Sequence, residues 1–352
     1  MSRNISLDLL RIIAMFMILV LHSIVFMDMP SFITINECLL YDIEIAFCRS
    51  GVNVFVLLTG FFLCSEQIKI KKIYTLLSSI LFFNFILLLV KQIVSGGVTL
   101  STILMCLSPF KYWFINCYVG LMLLSPFMNI AIKNMPHKSF DILVVVFTII
   151  NLLLGRFIGT EEGFSLIWFI NLFLIGQRLR RTSIRYSFQK LLILMFISIS
   201  LNVAGSFLVL NHMGNVDSYN VGILGVYSNA FCLMTSVCLF LLFKQTNLAY
   251  CNKKVSALAI SAFSVYLISE NFIIKPDIWN IWNSLLHITN CTNYTITFLA
   301  VQIVFCSLLF MICITIDRLR QQVFKVLKVD SLIDKIDILS VKLLYSVVNR
   351  MR

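Results

Sequence analysis

The chain has 352 residues, of which 60% are hydrophobic and only 12% charged, with a formal net charge of +12. A mean hydropathy of +0.95 is more apolar surface than a soluble chain of this length can hide, so the composition describes a polytopic membrane protein. The basic excess then belongs to cytoplasmic loops, and nucleic-acid binding is set aside as a function class.

Apolar windows of ~20 residues predict ten spans, at 7–27, 45–64, 73–94, 112–132, 140–157, 164–177, 190–210, 221–243, 256–274 and 294–316. The first holds LDLLRIIAMFMILVLHS (7–23). It is too long for a signal-peptide core and no A-x-A cleavage site follows it, so it is expected to stay as a span. Arg11 and His22 lie eleven residues apart in it. That is close to three helical turns, which puts both on one face and separates them by roughly 16 Å along the axis. Asp8, three residues before Arg11, can pair with it on that face. Two readings stand on spacing alone. Either Arg11 snorkels to one surface while His22 caps the other end at the headgroups, or both point into a cavity of the bundle, as costly intramembrane ionisable groups usually do.

The loop after the second span carries Lys69, Lys71 and Lys72. The fourth span opens with Tyr112 and Trp113, which could line a cleft or join an aromatic belt, and Pro126 inside it predicts a kink. The short sixth span runs into Arg178, Arg180 and Arg181. The segment 275–293, KPDIWNIWNSLLHITNCTN, reads as the longest outer loop, with Trp279 and Trp282 as an interfacial belt. After Asp317 the chain mixes basic and apolar residues at helical spacing, predicting an amphipathic helix on the inner surface. The division is therefore a transmembrane domain at 1–316 and a basic cytoplasmic tail at 317–352.

Orientation follows from the basic residues. With the N-terminus inside, all of the 28 except Arg49, Lys91, Lys111, Arg156 and Lys275 fall on the cytoplasmic side. The expected topology is N-in and C-in, an all-α bundle of about ten transmembrane helices. The eleven cysteines form no CxxC pair or metal-ligand spacing and read as buried free thiols. His137 and His212 read as loop residues without a catalytic role.

Several segments together resemble the acyltransferase 3 family of integral-membrane acyltransferases. RNISLDLLRIIAMFMILVLHS looks like its N-terminal motif, an Arg, ten residues and a His, preceded by Asp. GVNVFVLLTGFFL (51–63) is similar to its second span, with Phe55, Thr59 and Gly60 for the usual Phe-x-x-x-Ser-Gly. KYWFINCYVGLMLLSPFMN (111–129) resembles the span seen in members from polysaccharide-synthesis loci. FINLFLIGQRLRR (169–181) and ISAFSVYLISENFIIKPDIW (260–279) look like two further segments. The chain departs from the family pattern twice. Ser269, followed by Glu270 and Asn271, stands where members often have a histidine, and IKIKKIYTLLSSILFF offers lysines in place of an arginine pair and proline.

The resemblance implies a multi-pass enzyme of the bacterial plasma membrane, an O-acyltransferase and most simply an O-acetyltransferase. It would use cytoplasmic acetyl-CoA, or another acyl-CoA, as co-substrate and no metal. The acceptor would be a hydroxyl of a surface polysaccharide or its lipid-linked precursor. His22 is then the catalytic base or acyl relay, Arg11 lies on the donor's path, and Glu270 is the candidate acid/base partner in place of the missing histidine. Lys69, Lys71, Lys72, Arg178, Arg180 and Arg181 are the candidate phosphate ligands, and Asp8, Trp113, Tyr118 and Asn271 the candidate substrate contacts. The partners would be membrane lipids and the glycan acceptor, and homodimerisation stays open. A glycan transporter or flippase, or a non-catalytic family member, are the alternatives.

Overall fold

A computed structural model describes residues 4–28, 35–67, 70–96, 99–213, 226–246, 253–291 and 293–350. Among them the regular elements are helical: α1 (Ile5–Val25), α2 (Ile35–Cys48), α3 (Ser50–Phe62), α4 (Ile70–Ser95), α5 (Leu100–Cys106), α6 (Trp113–Asn134) and α7 (His137–Ile158). After a 3₁₀ turn at Glu161–Gly163 follow α8 (Leu166–Arg181), α9 (Phe188–Met213), α10 (Ala230–Gln245), α11 (Lys253–Ser269), α12 (Lys275–Ile288), α13 (Ile296–Val326) and α14 (Val329–Arg350). The starts are set by side-chain acceptors for otherwise orphaned N–H groups. Asn4 Oδ1 takes the N–H of Leu7, Ser165 Oγ that of Trp168, Asn229 Oδ1 that of Phe231 and Thr295 Oγ1 that of Phe298.

Among the described residues, seven helical units are long and apolar enough to cross a membrane: Ile5–Val25, Glu37–Phe62, Ile70–Val94, Trp113–Asn134, His137–Gly155, Phe188–Ser206 and Ile296–Val326. The shorter α8, α10 and α11, of 16, 16 and 17 residues, stand where the sixth, eighth and ninth spans are predicted. Residues 221–225 of the predicted eighth span lie outside the described residues. Phe85, Ile142, Phe157, Phe196, Ile303 and Met311 are exposed on α4, α7, α9 and α13. Such faces are untenable in water and suited to hydrocarbon.

The core is organised around α1, which packs on α3, α11, α13, α2 and α10. Leu7, Leu10, Ala14, Met15, Leu19 and Leu21 are all at most 2% exposed. Lipid supplies no hydrophobic drive between helices, so close approach through small residues matters. A Cβ on Gly60 would stand 2.5 Å from the Phe173 carbonyl oxygen, and one on Gly176 2.5 Å from that of Leu57. The two glycines let α3 and α8 touch backbone to backbone.

Two expectations are corrected. The second span, predicted from residue 45, begins near residue 37, because α2 and α3 meet at Arg49, whose φ −58° and ψ −32° are themselves helical. Arg49 is therefore inside a helical unit and not in an outer loop. Glu37, Asp42 and Glu44 lower the hydropathy of that window, yet Glu37 and Asp42 are buried and Glu44 accepts a hydrogen bond from the Tyr294 hydroxyl. The supposed loop at 275–293 is mostly α12, with Pro276 in its first turn, where its missing N–H costs nothing. Trp279 and Trp282 are 4% and 0% exposed, buried against the bundle and not set as an interfacial belt. Helix α13 continues past residue 316 to Val326 and carries Asp317 and Arg320 within it.

Beyond it, α14 lies along α4, with Lys71 Nζ 2.6 Å from Asp334 Oδ1 and the Tyr74 and Ser340 hydroxyls 2.6 Å apart. Leu332, Ile336 and Leu339 stay exposed on it, the apolar side of an amphipathic helix. The described cysteines are free thiols, buried except for the half-buried Cys64 and Cys117.

Candidate active site

Helix α1 sets Arg11 and His22 in two cavities, one at each end of the predicted polar face. Arg11 lines a cavity of about 630 Å³, together with Lys72, Arg320, Tyr118 and Thr59. Its Nη1 lies 3.3 Å from Asp8 Oδ1, and Asp8 Oδ2 accepts from Ser256 Oγ at 2.8 Å. The i, i+3 spacing fixes this pair, and Asp8, only 3% exposed, compensates a charge that burial would otherwise penalise.

His22 lines a far smaller cavity of about 10 Å³, walled by Met15, Ile18, Trp113, Phe114, Tyr227 and Tyr266 among others. Its Nδ1 lies 3.3 Å from Glu270 Oε1, at ion-pair distance but not aligned as a hydrogen bond. Glu270 Oε2 accepts from Lys275 Nζ at 2.7 Å, and that ammonium sits 3.9 Å over the Phe26 ring. Tyr266 and Trp279 flank the imidazole at ring-centroid distances of 6.3 and 6.5 Å. The next residue anchors this end of α1: the Ser23 carbonyl accepts from Trp282 Nε1 at 2.9 Å, and Ser23 Oγ accepts from Gln302 Nε2 at 3.0 Å.

Glu270 reaches His22 because α11 stops at Ser269 and the chain turns at once. Asn271, fully buried, pins that turn by donating to Asn84 Oδ1 at 2.8 Å and to the Tyr112 hydroxyl at 3.0 Å. Its own Oδ1 accepts the N–H of Ile273 at 3.0 Å, and the Tyr112 hydroxyl donates to the Leu267 carbonyl at 2.9 Å. Asn271 is thus committed to protein partners and stands behind the site, lining neither cavity. Ser269, the position of the absent histidine, is 1% exposed, and its Oγ has no hydrogen-bond partner among the described residues.

The remaining expected residues divide. Trp113 lines the His22 cavity and stacks on Tyr227, ring centroids 6.0 Å apart and planes at 25°. Tyr118 lines the Arg11 cavity. Of the expected phosphate ligands, Lys72 lines that cavity, whereas Lys69 lies outside the described residues. Lys71 is paired with Asp334 and Arg178 Nε with Asp141 Oδ1 at 2.9 Å. Arg180 donates to Cys64 Sγ, while Arg181 donates to the Ile132 carbonyl at 3.2 Å and covers the Phe140 ring. These four do not line the Arg11 cavity.

Arg320, absent from the expected set, does line it, with its Nε 2.7 Å from the fully buried Asp317. The signal was present: Asp317-x-x-Arg320 repeats the Asp8-x-x-Arg11 spacing on the continuation of α13.

Two cavities on one helix, one cationic and wide, one narrow with an imidazole beside a carboxylate, suit a reaction in which a charged donor and a neutral nucleophile meet from opposite ends. No curated protein and no solved structure gives a significant match to this chain. The model of the acyltransferase 3 family, described as an acyltransferase domain, does match, over residues 4–318. That match begins one residue before α1 and runs into α13, taking in the helices that carry Arg11, His22 and Lys72 and the turn that holds Glu270; the chain belongs to the acyltransferase 3 family and is, at the level of that family, a membrane acyltransferase.

Proposed function

We propose that the protein is an O-acyltransferase of a bacterial plasma membrane. In this reading it moves an acyl group, acetyl in the first instance, from cytoplasmic acyl-CoA to a hydroxyl of a surface polysaccharide or its lipid-linked precursor. The observation that carries the reading is the polar face of α1, with Arg11 in a cavity of about 630 Å³ and His22 beside Glu270 in a narrow one.

The wide cavity fits acyl-CoA chemically. Arg11, Lys72 and Arg320 supply cations for its phosphates, and the walls are otherwise largely apolar, as a thin pantetheine arm requires. The concentration of basic residues on one side supports the orientation in which this cavity opens to the cytoplasm and the tail from residue 317 lies there.

With Nδ1 turned to Glu270, His22 offers Nε2 to the acceptor. His22 takes the hydroxyl proton as the sugar oxygen attacks the thioester carbonyl. The ester C–O bond forms, the C–S bond breaks, and the proton passes from His22 to the departing thiolate. Glu270 holds the ring and offsets the charge it gains, and Lys275 holds Glu270 in place through its other oxygen. Trp113, stacked on Tyr227, offers an aromatic face to the sugar.

The test is mass spectrometry of the envelope glycan from cells lacking the gene, and from the same cells complemented with the unmodified protein or with His22→Ala. The acetyl mass increment should disappear on deletion, return with the unmodified protein and stay absent with the variant. A glycan acetylated to the same extent without the gene overturns the reading.

A further inference from the structure

The Arg11 and His22 cavities share two wall residues, Phe55 of α3 and Phe263 of α11. Their rings are stacked, centroids 5.3 Å apart and planes at 27°. Phe114 braces both, its centroid 6.0 Å from that of Phe55 and 5.8 Å from that of Phe263. On one side of this pair is about 630 Å³ of space; on the other, beside His22, about 10 Å³. The smaller figure is roughly the room of one water. A wide chamber therefore ends at an aromatic partition, and the reacting imidazole lies behind it.

We propose that Phe55 and Phe263 are specificity-determining residues that restrict the donor to short acyl thioesters, two carbons being favoured over four. This rests on the acyl-transfer reading above. The thioester carbonyl has to meet the hydroxyl activated by His22, so the acyl chain must enter between or beyond the two rings. A methyl group needs only a small ring displacement. Each further methylene has to displace Phe55 or Phe263 against Phe114, Met15 and Tyr266, in a region packed with little spare volume. The cationic chamber does not discriminate, because it meets the CoA portion, which is common to all donors. The chemistry is otherwise that of the transfer step, with no oxidant or additional reactant.

The experiment uses membranes from cells lacking the gene and re-expressing the full chain, so that their own unacylated glycan is the acceptor. Labelled acetyl-, propionyl- and butyryl-CoA are supplied, and label entering the glycan is measured. The unmodified protein should strongly prefer acetyl. Phe263→Ala should raise the ratio of butyryl to acetyl transfer roughly tenfold or more, the usual scale for a methylene-sized change in an apolar pocket. Phe55→Leu, on the opposite wall, should move it in the same direction and serves if the first variant fails to fold. An unchanged ratio in folded variants, or an unmodified protein that already prefers butyryl, overturns this inference alone. Equal labelling with and without the protein for all three donors overturns the acyl-transfer reading and this inference with it.

Discussion

His22 Nδ1 and Glu270 Oε1 lie 3.3 Å apart, although one belongs to the first helix and the other to the turn after α11. An imidazole beside a carboxylate is the arrangement that fixes a ring's orientation and compensates the charge it acquires as a base. The two groups therefore have separable roles. His22→Ala should lower kcat by about 10²–10⁴-fold, the usual contribution of a positioned base. Glu270→Gln, which keeps shape but loses charge, should cost roughly ten- to a hundredfold, from a charge-assisted contact worth about 1.5–3 kcal/mol. Steady-state rates with labelled acetyl-CoA check both, and a Glu270→Gln enzyme at full rate would remove the carboxylate from the mechanism.

Lys72 and Arg320 share the Arg11 cavity. If they meet the donor's phosphates, the Lys72→Gln and Arg320→Gln variants lose ground-state and transition-state binding equally. The KM for acyl-CoA should rise roughly tenfold while kcat holds. Lys133→Gln, whose partner is the exposed Glu66, should leave KM where it is. Parallel changes in all three would show that general surface charge, and not this cavity, attracts the donor.

Asn271 donates to both Asn84 and Tyr112 in a buried network. Asn271→Ala leaves Asn84 Oδ1 and the Ile273 N–H unmatched, at about 1–3 kcal/mol each for an unmatched buried group. The thermal midpoint in detergent should fall, and kcat should fall with KM for acyl-CoA unchanged, because only the turn that carries Glu270 is loosened. A variant with reduced midpoint but normal kcat would make the network structural alone.

Gly60 and Gly176 allow α3 and α8 to touch, with no room for a Cβ on either. Gly176→Ala should destabilise the protein by about 1–3 kcal/mol through overpacking, read as a lower midpoint and a smaller monodisperse fraction on size exclusion. A midpoint equal to that of the unmodified protein would mean that the helices separate without cost.

The face shared by Arg11 and His22 was legible because helical period is a property of spacing, and α1 has no break to interrupt it. The long apolar helices were legible for the same reason. What escaped was structure that hydropathy windows discard. In α12 Lys275, Asp277, Asn280 and Asn283, set around Trp279 and Trp282, keep the average low, although the tryptophans are core. The start of the second unit was lost to Glu37 and Asp42, whose burial only the fold reveals, and to Glu44, whose partner Tyr294 is distant in sequence. Cation clusters were read as charge density, which does not tell Lys72 from Lys71, one residue away and turned to Asp334. Arg320 lay beyond the last apolar window, so the continuation of α13 was needed to bring it in.

The burial of Trp279 and Trp282 has one more result. The chain has four tryptophans, and each is tied to the His22 end. Trp113 lines the small cavity, Trp168 bonds through Asn53 to the Tyr227 carbonyl, Trp279 faces the imidazole, and Trp282 holds Ser23. The Arg11 chamber has no indole in its wall. Ultraviolet emission from this protein is therefore a local signal, blind to a ligand that stops at the cations and responsive to one that comes through to the histidine.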